Sequence, residues 1–579
     1  MDELKTGIKT LPGDLHTFFK QALRYYDDKN YPKTLKLCEK VIEQAATHGE
    51  TLVIKALALH YTGKDDESVA IVKSALRHNL SSPACWHAMG FVYKNINSYA
   101  EAANCLNKVM KMRPDNFNVL AELASVQIHL RDFQNFRLTR HKLLTERAGF
   151  AVNWAGYALA EALNNNNPRA VEVIDSLLNS YGETLKKYDV SEVILFKLTL
   201  LPPQSVLTYL PTVRDRVLNR IKLAEIRVDA LLKVGNLKAA KVEILKLLKL
   251  NPDNEDYHVW LAKTSANLLE DYDQLAAEHP NSQLMKRNPL KLAEGEAFCS
   301  RIDAYIKAKL KKGVPSLAAD LKSLYSDPFK VKVIEQVAKA HFQSLSSNSS
   351  FASIRAFEPE LLWSPSDLVE QPPAKLWTVY LLAQHYYRLH DYAQALEYLK
   401  EALDHTPTLP DLYMLKAKIH KKQGDAVLAA ETSEKGKQLD MNDRFLSNKC
   451  AKYWLRAGDV PHALQVMAPF CREQGEELNF HDVQSLWFEA EKAEAHLRAQ
   501  DWQEAFKEFK FIVKHFEDFK AAQSEFHSYC LRRYNLISYV DFLKFVDSIF
   551  TRPQYIRAVE GLHECVAADP SLVMPKLPN

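Results

Sequence analysis

Residues 376–467 decide the fold, and they divide into LWTVYLLAQHYYRLHDYAQALEYLKEALDHTPTL (376–409), PDLYMLKAKIHKKQGDAVLAAETSEKGKQLDMND (410–443) and RFLSNKCAKYWLRAGDVPHALQVM (444–467). Small residues recur in two columns of this alignment, at Ala383, Ala417 and Ala451 and at Ala395, Ala429 and Ala463. Gly424 and Gly458 keep the same step of 34 residues (458 − 424). Small side chains at fixed places in a period of about 34 residues are typical of the tetratricopeptide repeat, a pair of antiparallel helices.

The same period runs through the N-terminal part of the chain. It places large side chains at Phe18, Leu52, Trp86, Leu120 and Trp154, small residues at Ala22, Ala56, Gly90, Ala124 and Ala158, and aromatic rings at Tyr31, Tyr99 and Phe133 near the turns. A side chain larger than a methyl group at the small positions would hold the two helices of a pair apart. The sequence therefore predicts an all-α fold, a tetratricopeptide-repeat α-solenoid that forms a right-handed superhelix of antiparallel helix pairs.

Breaks in the register divide the chain into five predicted segments. They are N-terminal repeats at 1–180, an irregular, repeat-like middle region at 181–343, a loop or linker at 344–373, regular repeats at 374–470 and C-terminal helical repeats at 471–579. The linker is predicted from a Ser-rich run at 344–350 and four prolines within 358–373. The spacing from Ala463 to Ala505 exceeds the period by eight residues (505 − 463 − 34), an insertion that we place at 471–480.

Composition narrows the class of protein. The chain has 579 residues, 47% of them hydrophobic and only 16 of them glycine, which favours a globular helical protein over a disordered one. A net charge of +3 does not indicate a nucleic-acid partner, and we expect no sequence-specific one. Eight dispersed cysteines without a C-x-x-C pair are expected to be reduced. The N-terminus lacks a secretory signal pattern, and the charge-free run 148–160 is too short to cross a bilayer, so a cytoplasmic protein without a membrane segment is predicted.

Motifs for independent catalysis do not occur in the sequence. It contains no G-x-G, no phosphate-loop pattern, no H-E-x-x-H and no G-x-S-x-G. His385 and His390 lack a second pair of metal ligands, so no metal site is predicted. We therefore predict no catalytic residue and no cofactor bound by the chain alone.

A basic cluster lies within the regular repeats. Lys416, Lys418, Lys421 and Lys422 belong to the first helix of one repeat, and Arg444, Lys449 and Lys452 belong to the first helix of the next. First helices of adjacent repeats lie side by side in a solenoid, so some of these cations are expected to converge. Two interpretations stay open here: a binding site for a polyanion, or an exposed basic face.

Several stretches resemble one known family, the auxiliary subunit of the NatA N-terminal acetyltransferase complex. They are His48-Gly-Glu-Thr-Leu52, Cys85-Trp-His87, Trp154-x-Gly-Tyr-Ala158, Lys312-Gly-Val-Pro315, Leu382-Ala-Gln-His-Tyr386, Thr406-Pro-Thr-Leu409, Lys416-Ala-Lys-Ile419, Asp443-Arg-Phe445, Lys449-Cys-Ala-Lys-Tyr453 and Phe526-His-Ser-Tyr-Cys530. The repeat pattern dictates neither of the last two stretches, which makes them the most specific part of the resemblance.

The resemblance implies a non-catalytic scaffold that wraps a GNAT-type catalytic subunit, activates it and positions it at the ribosome for co-translational acetylation of nascent N-termini. Acetyl-CoA would then be bound by the catalytic partner. By the same resemblance, Phe445 and Trp487 would contact the catalytic subunit. Inositol hexakisphosphate would be held by Lys416, Lys418, Lys421, Arg444, Lys449 and Lys452.

Two features differ from the family pattern. Residues 446–448 are Leu-Ser-Asn where the family tends to have Ile-Asn-Ser, and the chain ends at Asn579 where family members continue into a very basic region. Either the scaffold is naturally short or the tail is missing here. N-terminal basic residues, Arg137, Arg140, Lys142 and Arg147, are a second candidate for ribosome contact.

A second interpretation is a tetratricopeptide adaptor or co-chaperone that serves another complex. Such adaptors have Asn directly after the small first-helix position. Here those places hold Leu23, Leu57, Phe91, Ser125 and Leu159, which argues against a carboxylate clamp.

Overall fold

The computed structural model describes Leu11 and residues 13–347, 372–470 and 480–577. Its described residues form helices and turns with no β-strand, which confirms the all-α prediction. In chain order the helices are α1 Gly13–Asp27, α2 Tyr31–Gln44, α3 Gly49–Tyr61, α4 Asp65–His78, α5 Pro83–Asn95, α6 Tyr99–Met112, α7 Phe117–His129, α8 Phe133–Glu146, α9 Ala151–Leu163, α10 Asn167–Tyr181, α11 Lys187–Leu200, α12 Pro203–Val213, α13 Arg220–Val234, α14 Leu237–Leu250, α15 Glu255–Thr264 and α16 Leu268–Glu278. They continue as α17 Leu284–Leu292, α18 Gly295–Lys312, α19 Leu317–Asp320, α20 Pro328–Ser347, α21 Pro372–Arg388, α22 Tyr392–His405, α23 Pro410–Lys422, α24 Ala426–Leu439, α25 Arg444–Ala457, α26 Val460–Met467, α27 Leu486–Arg498, α28 Trp502–Ala522, α29 Phe526–Arg532, α30 Leu536–Asp547 and α31 Pro553–Ala568.

The chain forms two compact units. One comprises Met1–Gly235 and Glu517–Ser548, and the other comprises Asn236–Phe516 and Ile549–Asn579. The predicted C-terminal segment 471–579 is therefore shared between the units. None of the described helices is long and apolar enough to cross a membrane.

The helix pairs of the first unit follow the predicted period. The small positions Ala22, Ala56, Ala124 and Ala158 are fully buried. A methyl group added at Gly90 would lie 3.3 Å from two side-chain carbons of Leu106, so this position is also closely packed. The predicted ring at Tyr99 is buried at the start of its helix. Periodic small residues thus allow the close approach of helices that the repeat requires.

Residues 517–548 complete the core of the first unit. Leu531, Tyr539 and Leu543 belong to the same hydrophobic cluster as Leu120 and Ala158 of the repeats. Polar contacts accompany this packing, since the Tyr99 hydroxyl donates to the Ala521 carbonyl at 3.2 Å and Arg131 Nε lies 2.8 Å from Asp547 Oδ1. A segment about 400 residues away in the sequence therefore covers the repeat helices α7 and α9.

In the second unit, α21 to α26 form the regular repeats of residues 376–467. All six alanines of the two predicted columns are fully buried. Each second helix begins with an aspartate cap, at Asp391, Asp425 and Asp459, whose side chain accepts a hydrogen bond from the third backbone N–H of its helix. The residue before each cap, at His390, Gly424 and Gly458, has a positive φ of 63°, 93° and 90°. The turn geometry thus explains the glycines of the repeat.

The segments around the predicted linker are partly described. Helix α18 ends at Lys312, and Gly313 takes a left-handed φ of 63° that stops the helix there. Helix α20 continues through Ser347, past the predicted start of the linker at Ser344. Residues 348–371 of the predicted linker and residues 471–479 of the predicted insertion lie outside the described residues.

The described cysteines are free thiols, and all but the half-buried Cys530 are buried.

Candidate anion site and partner surface

The candidate site lies along the first helices of the regular repeats. Helix α23 contributes Lys418, Lys421 and Lys422, and α25 contributes Lys449 and Lys452. The ammonium group of Lys418 lies 4.8 Å from the centre of the Tyr387 ring on α21. The ammonium group of Lys449 lies 5.4 Å from the centre of the Phe445 ring. The aromatic rings hold both lysine side chains in place by cation–π contact.

Burial and neighbouring positive charges lower the pKa of two lysines in this cluster. Burial lowers the pKa of Lys418, and the positive charges of Arg388 and Lys449 lower it further. Burial likewise lowers the pKa of Lys421, with further contributions from Arg456 and Lys422. A lowered pKa means that the charged form is destabilised by its surroundings. A bound polyanion would offset that cost.

Arg388 adds a buried donor to this group. Its guanidinium stacks 4.9 Å from the centre of the Tyr325 ring, and burial lowers the pKa of the side chain. Its Nη1 is buried and has no hydrogen-bond partner among the described residues. Leaving a buried hydrogen-bond donor without a partner typically costs about 1–3 kcal/mol of folding free energy, and the cost is larger for a charged group. An anionic oxygen at this point would satisfy it.

Lys452 and Arg456 are already neutralised within the protein. Glu491 on α27 accepts hydrogen bonds from Arg456 Nε at 2.9 Å and from Arg456 Nη2 at 2.8 Å. The ammonium group of Lys452 lies 2.7 Å from the same carboxylate. This arrangement lowers the pKa of Glu491 despite its burial. The structure thus gives Lys452, one of the predicted anion ligands, an ion pair with α27.

The other predicted ligands lie at the edge of the cluster. Burial lowers the pKa of His420. The positive charge of Lys416, one turn earlier on the same helix, lowers it further. Arg444 is exposed in the first turn of α25. Among the predicted ligands, the charge of Lys449 acts on Lys418 and the charge of Lys452 acts on Lys421. The anion-binding role of all six predicted residues stays a prediction.

Sequence analysis missed Arg388, Arg456 and Lys322 as members of the cluster. A signal for two of them exists, because Arg388, Lys422 and Arg456 stand at steps of 34 residues (422 − 388 and 456 − 422). They therefore occupy one repeat position on three successive first helices. Lys322 comes from a short 3₁₀ helix, Lys322–Ser326, outside the repeats, and its charge also acts on Lys418. No periodicity predicts that contact.

The two predicted partner contacts differ in exposure. Phe445 is 60% exposed in the first turn of α25, where its backbone N–H donates to the capping Asp443 Oδ1 at 2.6 Å. Trp487 is half-buried and packs edge-on against Phe488, with ring centroids 5.5 Å apart. Phe445 thus presents an apolar ring to solvent beside the cations, while Trp487 also packs within the scaffold.

The predicted basic group on the N-terminal repeats is not a continuous surface. Arg140 is 6% exposed, and its guanidinium lies 5.2 Å from the centre of the Phe136 ring. Arg137 lies 3.6 Å from the buried Glu161 carboxylate. Arg147 is exposed but stacks on the Phe117 ring at 4.3 Å. Including Arg140 in an exposed basic group was therefore wrong, because that side chain is buried against α9 beside Gly156.

The fold and these surfaces define a class of protein, a tetratricopeptide-repeat scaffold that presents binding surfaces. Comparison with known proteins identifies the family. The profile of the family "N-terminal acetyltransferase A, auxiliary subunit" matches residues 188–567, and that of the "Psidin, N-terminal TPR repeats region" matches residues 22–149. The chain belongs to the NatA auxiliary subunit family.

Individual relatives match over nearly the whole chain. The chain is 34% identical over 578 residues to the N-terminal acetyltransferase A complex auxiliary subunit NAA15 of Arabidopsis thaliana, with 96% of this chain covered. It is 32% identical over 568 residues to N-alpha-acetyltransferase 16, NatA auxiliary subunit, of Mus musculus, again with 96% of this chain covered. The chain spans 63% and 65% of the lengths of these relatives.

A solved structure also matches nearly the whole chain. A chain from the structure of Naa15/Naa10 bound to HypK-THB superimposes with a TM-score of 0.86 at 30% sequence identity. The match covers 97% of this chain and 85% of that chain. The helical-repeat fold is therefore that of an NatA auxiliary subunit.

Proposed function

We propose that this chain is a non-catalytic auxiliary subunit that binds, activates and positions a GNAT-type N-terminal acetyltransferase. The observation that carries the proposal is the match to the Naa15/Naa10 structure over 97% of the chain. The exposed Phe445 beside the basic cluster supplies a surface for such a partner. In this proposal the partner binds acetyl-CoA, and the complex acts in the cytoplasm on nascent N-termini at the ribosome.

Co-expression with the GNAT-type subunit of the same organism tests the proposal. We expect the two chains to co-purify, and we expect the complex to acetylate peptides that start with Ser or Ala faster than the catalytic subunit alone. The scaffold alone serves as the control and should show no acetyl transfer. If the chains do not associate, or if association leaves the peptide preference and rate of the catalytic subunit unchanged, the proposal is wrong. Stable capture of a different complex would instead support the adaptor interpretation.

We further propose that inositol hexakisphosphate binds the basic cluster as a structural ligand. Six phosphates carry enough negative charge to contact lysines on α23 and α25 at once, together with the unsatisfied Arg388 Nη1. Because α25 also carries Phe445, such a ligand would fix the helix that presents the partner surface. The proposed core of the site is Lys418, Lys421, Lys449 and Arg388, since Lys452 is paired with Glu491.

Charge reversal at Lys418 and Lys449 should weaken this binding strongly. We expect Lys418→Glu with Lys449→Glu to weaken inositol hexakisphosphate binding by at least about 10–100-fold, the scale of lost hydrogen bonds to charged groups. Isothermal titration calorimetry measures the affinity. The apo scaffold should keep its melting temperature, because the substitutions relieve repulsion with Arg388.

A matched control is Lys400→Glu with Lys435→Glu, which reverses two exposed lysines on the second helices α22 and α24. Equal weakening by both double variants would mean that net charge alone attracts the ligand, and the assigned site would then be wrong.

A further inference from the structure

Two helices and the turn before them bring together a histidine–glutamate cluster that the proposed function does not use. It consists of His481 in the turn before α27, Glu489 on α27, and His515 on α28. The Glu489 Oε1 atom lies 3.1 Å from His481 Nδ1 and 3.0 Å from His515 Nε2. One ligand atom from each residue lies within 4.8 Å of the other two. Three atoms of types that ligate metals therefore surround one point.

A second carboxylate lies beside this cluster. Glu508 Oε2 on α28 is 3.7 Å from His481 Nε2, which is too far for a hydrogen bond. Its other oxygen accepts from Lys492 Nζ at 2.8 Å. Glu489 and Glu508 are almost completely buried, at 0% and 1% exposure. The cluster thus places two carboxylates near one another in the protein interior, with a lysine ammonium on only one of them.

Both carboxylates retain an unsatisfied oxygen. Glu489 Oε2 and Glu508 Oε2 are buried and have no hydrogen-bond partner among the described residues. A buried carboxylate oxygen without a partner is costly, and a bound cation would satisfy it.

We propose that His481, Glu489 and His515 form a site for a divalent transition metal of the zinc class. Two imidazoles with carboxylates are a typical ligand set for Zn²⁺. Metal–ligand distances of about 2.0–2.2 Å place tetrahedral ligand atoms about 3.3 Å apart. The two separations from Glu489 Oε1 to the imidazole nitrogens, 3.1 Å and 3.0 Å, are close to that value. Glu508 Oε2 lies beside the other ring nitrogen of His481, so a water molecule would fill the fourth tetrahedral position.

The metal would connect three parts of the chain. His481 lies in the turn before α27, Glu489 on α27, and His515 on α28. The stacking of the His481 ring on Phe511, with centroids 3.7 Å apart, already holds this turn against α28. Coordination would add a bond that is independent of packing, and it would stabilise the folded state in proportion to the logarithm of the free zinc concentration.

Zinc binding by the full chain tests the proposal. The purified 579-residue protein is stripped with a chelator and titrated with ZnCl₂, and bound metal is counted after gel filtration. We expect one tightly bound zinc per chain, a raised melting temperature, and visible absorption typical of four-coordinate Co²⁺ when CoCl₂ replaces zinc. Loss of an outer-shell partner alone weakens metal sites by about 10–100-fold, so Glu489→Gln and His515→Gln should each weaken binding by at least about 100-fold.

Matched controls use exposed residues of the same types on α31. Glu560→Gln and His563→Gln should bind zinc as the wild type does. Circular dichroism tests whether each variant is folded. If Glu489→Gln does not fold, the zinc affinity of His515→Gln alone tests the proposal. The proposal is overturned if the wild type binds no stoichiometric zinc, or if both cluster variants retain it. The wild type could bind no zinc while Glu489→Gln is more stable than the wild type in the absence of metal. That result would overturn the proposal and identify the cluster as a hydrogen-bonded unit around a protonated carboxyl group.

Discussion

Phe445→Ala is expected to weaken the association of this chain with a GNAT-type catalytic subunit by about 30–1,000-fold. Aromatic side chains at the centre of an interface typically contribute about 2–4 kcal/mol on truncation to alanine. Phe445 is 60% exposed, and its ring contacts the Lys449 ammonium group in the isolated scaffold. The substitution should therefore leave the melting temperature of the scaffold nearly unchanged. Biolayer interferometry or calorimetry with the purified catalytic subunit measures the effect.

Phe150→Ala is the matched control for this prediction. Phe150 is 56% exposed, and an arginine, Arg147, also lies over its ring. It precedes α9 in the first unit and is not part of the proposed partner surface. The control variant should bind the catalytic subunit as the wild type does. If Phe445→Ala binds with wild-type affinity, or if it destabilises the scaffold as much as it weakens the complex, Phe445 is not a contact residue.

The repeat fold follows from the sequence because its determinants are local and periodic. A buried alanine at Ala417 or Ala451 is required wherever two helices approach closely, so it recurs at every repeat. The caps Asp425 and Asp459 and the preceding glycines also recur, because each repeat makes the same turn. Patterns of this kind are visible without a structure, since each is repeated several times in one chain.

Contacts between distant segments could not be predicted in the same way. Nothing in the sequence around Tyr539 indicates that it packs in one hydrophobic cluster with Ala158. The pairing of Lys452 with Glu491 likewise crosses between helices of different repeats with irregular spacing. The histidine–glutamate cluster was missed because His481 and His515 lie far apart in sequence and match no zinc motif. Such contacts are set by how helices pack, which occurs once in the chain and leaves no periodic signal.

Acidification is expected to destabilise the first unit through two buried histidines. His129 Nδ1 lies 3.1 Å from His527 Nε2, and His527 Nδ1 lies 2.7 Å from the Tyr539 hydroxyl. The two imidazoles are 5% and 1% exposed, and they connect the repeat helix α7 to α29. Burial lowers the pKa of His129 from its ordinary 6.5 to about 4 and that of His527 to about 3. The positive charge of Arg131 lowers both pKa values further.

The sign of the pH dependence follows from these lowered pKa values. Above about pH 6.5 both histidines are neutral whether the chain is folded or unfolded, and the stabilising contacts are fully present. Below that pH the unfolded chain takes up protons that the folded chain does not accept until about pH 4, so stability falls as pH falls. The slope is up to about 1.4 kcal/mol per pH unit for each histidine, which gives a loss of about 2–4 kcal/mol between pH 6.5 and pH 5.

Urea unfolding and hydrogen–deuterium exchange of α29 and α30 measure this loss across the pH range. His129→Asn with His527→Gln removes both titrating groups while it keeps polar atoms near the ring nitrogens. This double variant should be less stable than the wild type at neutral pH and should show a flatter pH dependence. The control His78→Gln alters an exposed histidine of the same unit and should keep the wild-type slope. An unchanged slope in the double variant would assign the acid sensitivity to carboxylates elsewhere, because only the loss of the buried imidazoles can flatten the curve in this pH range.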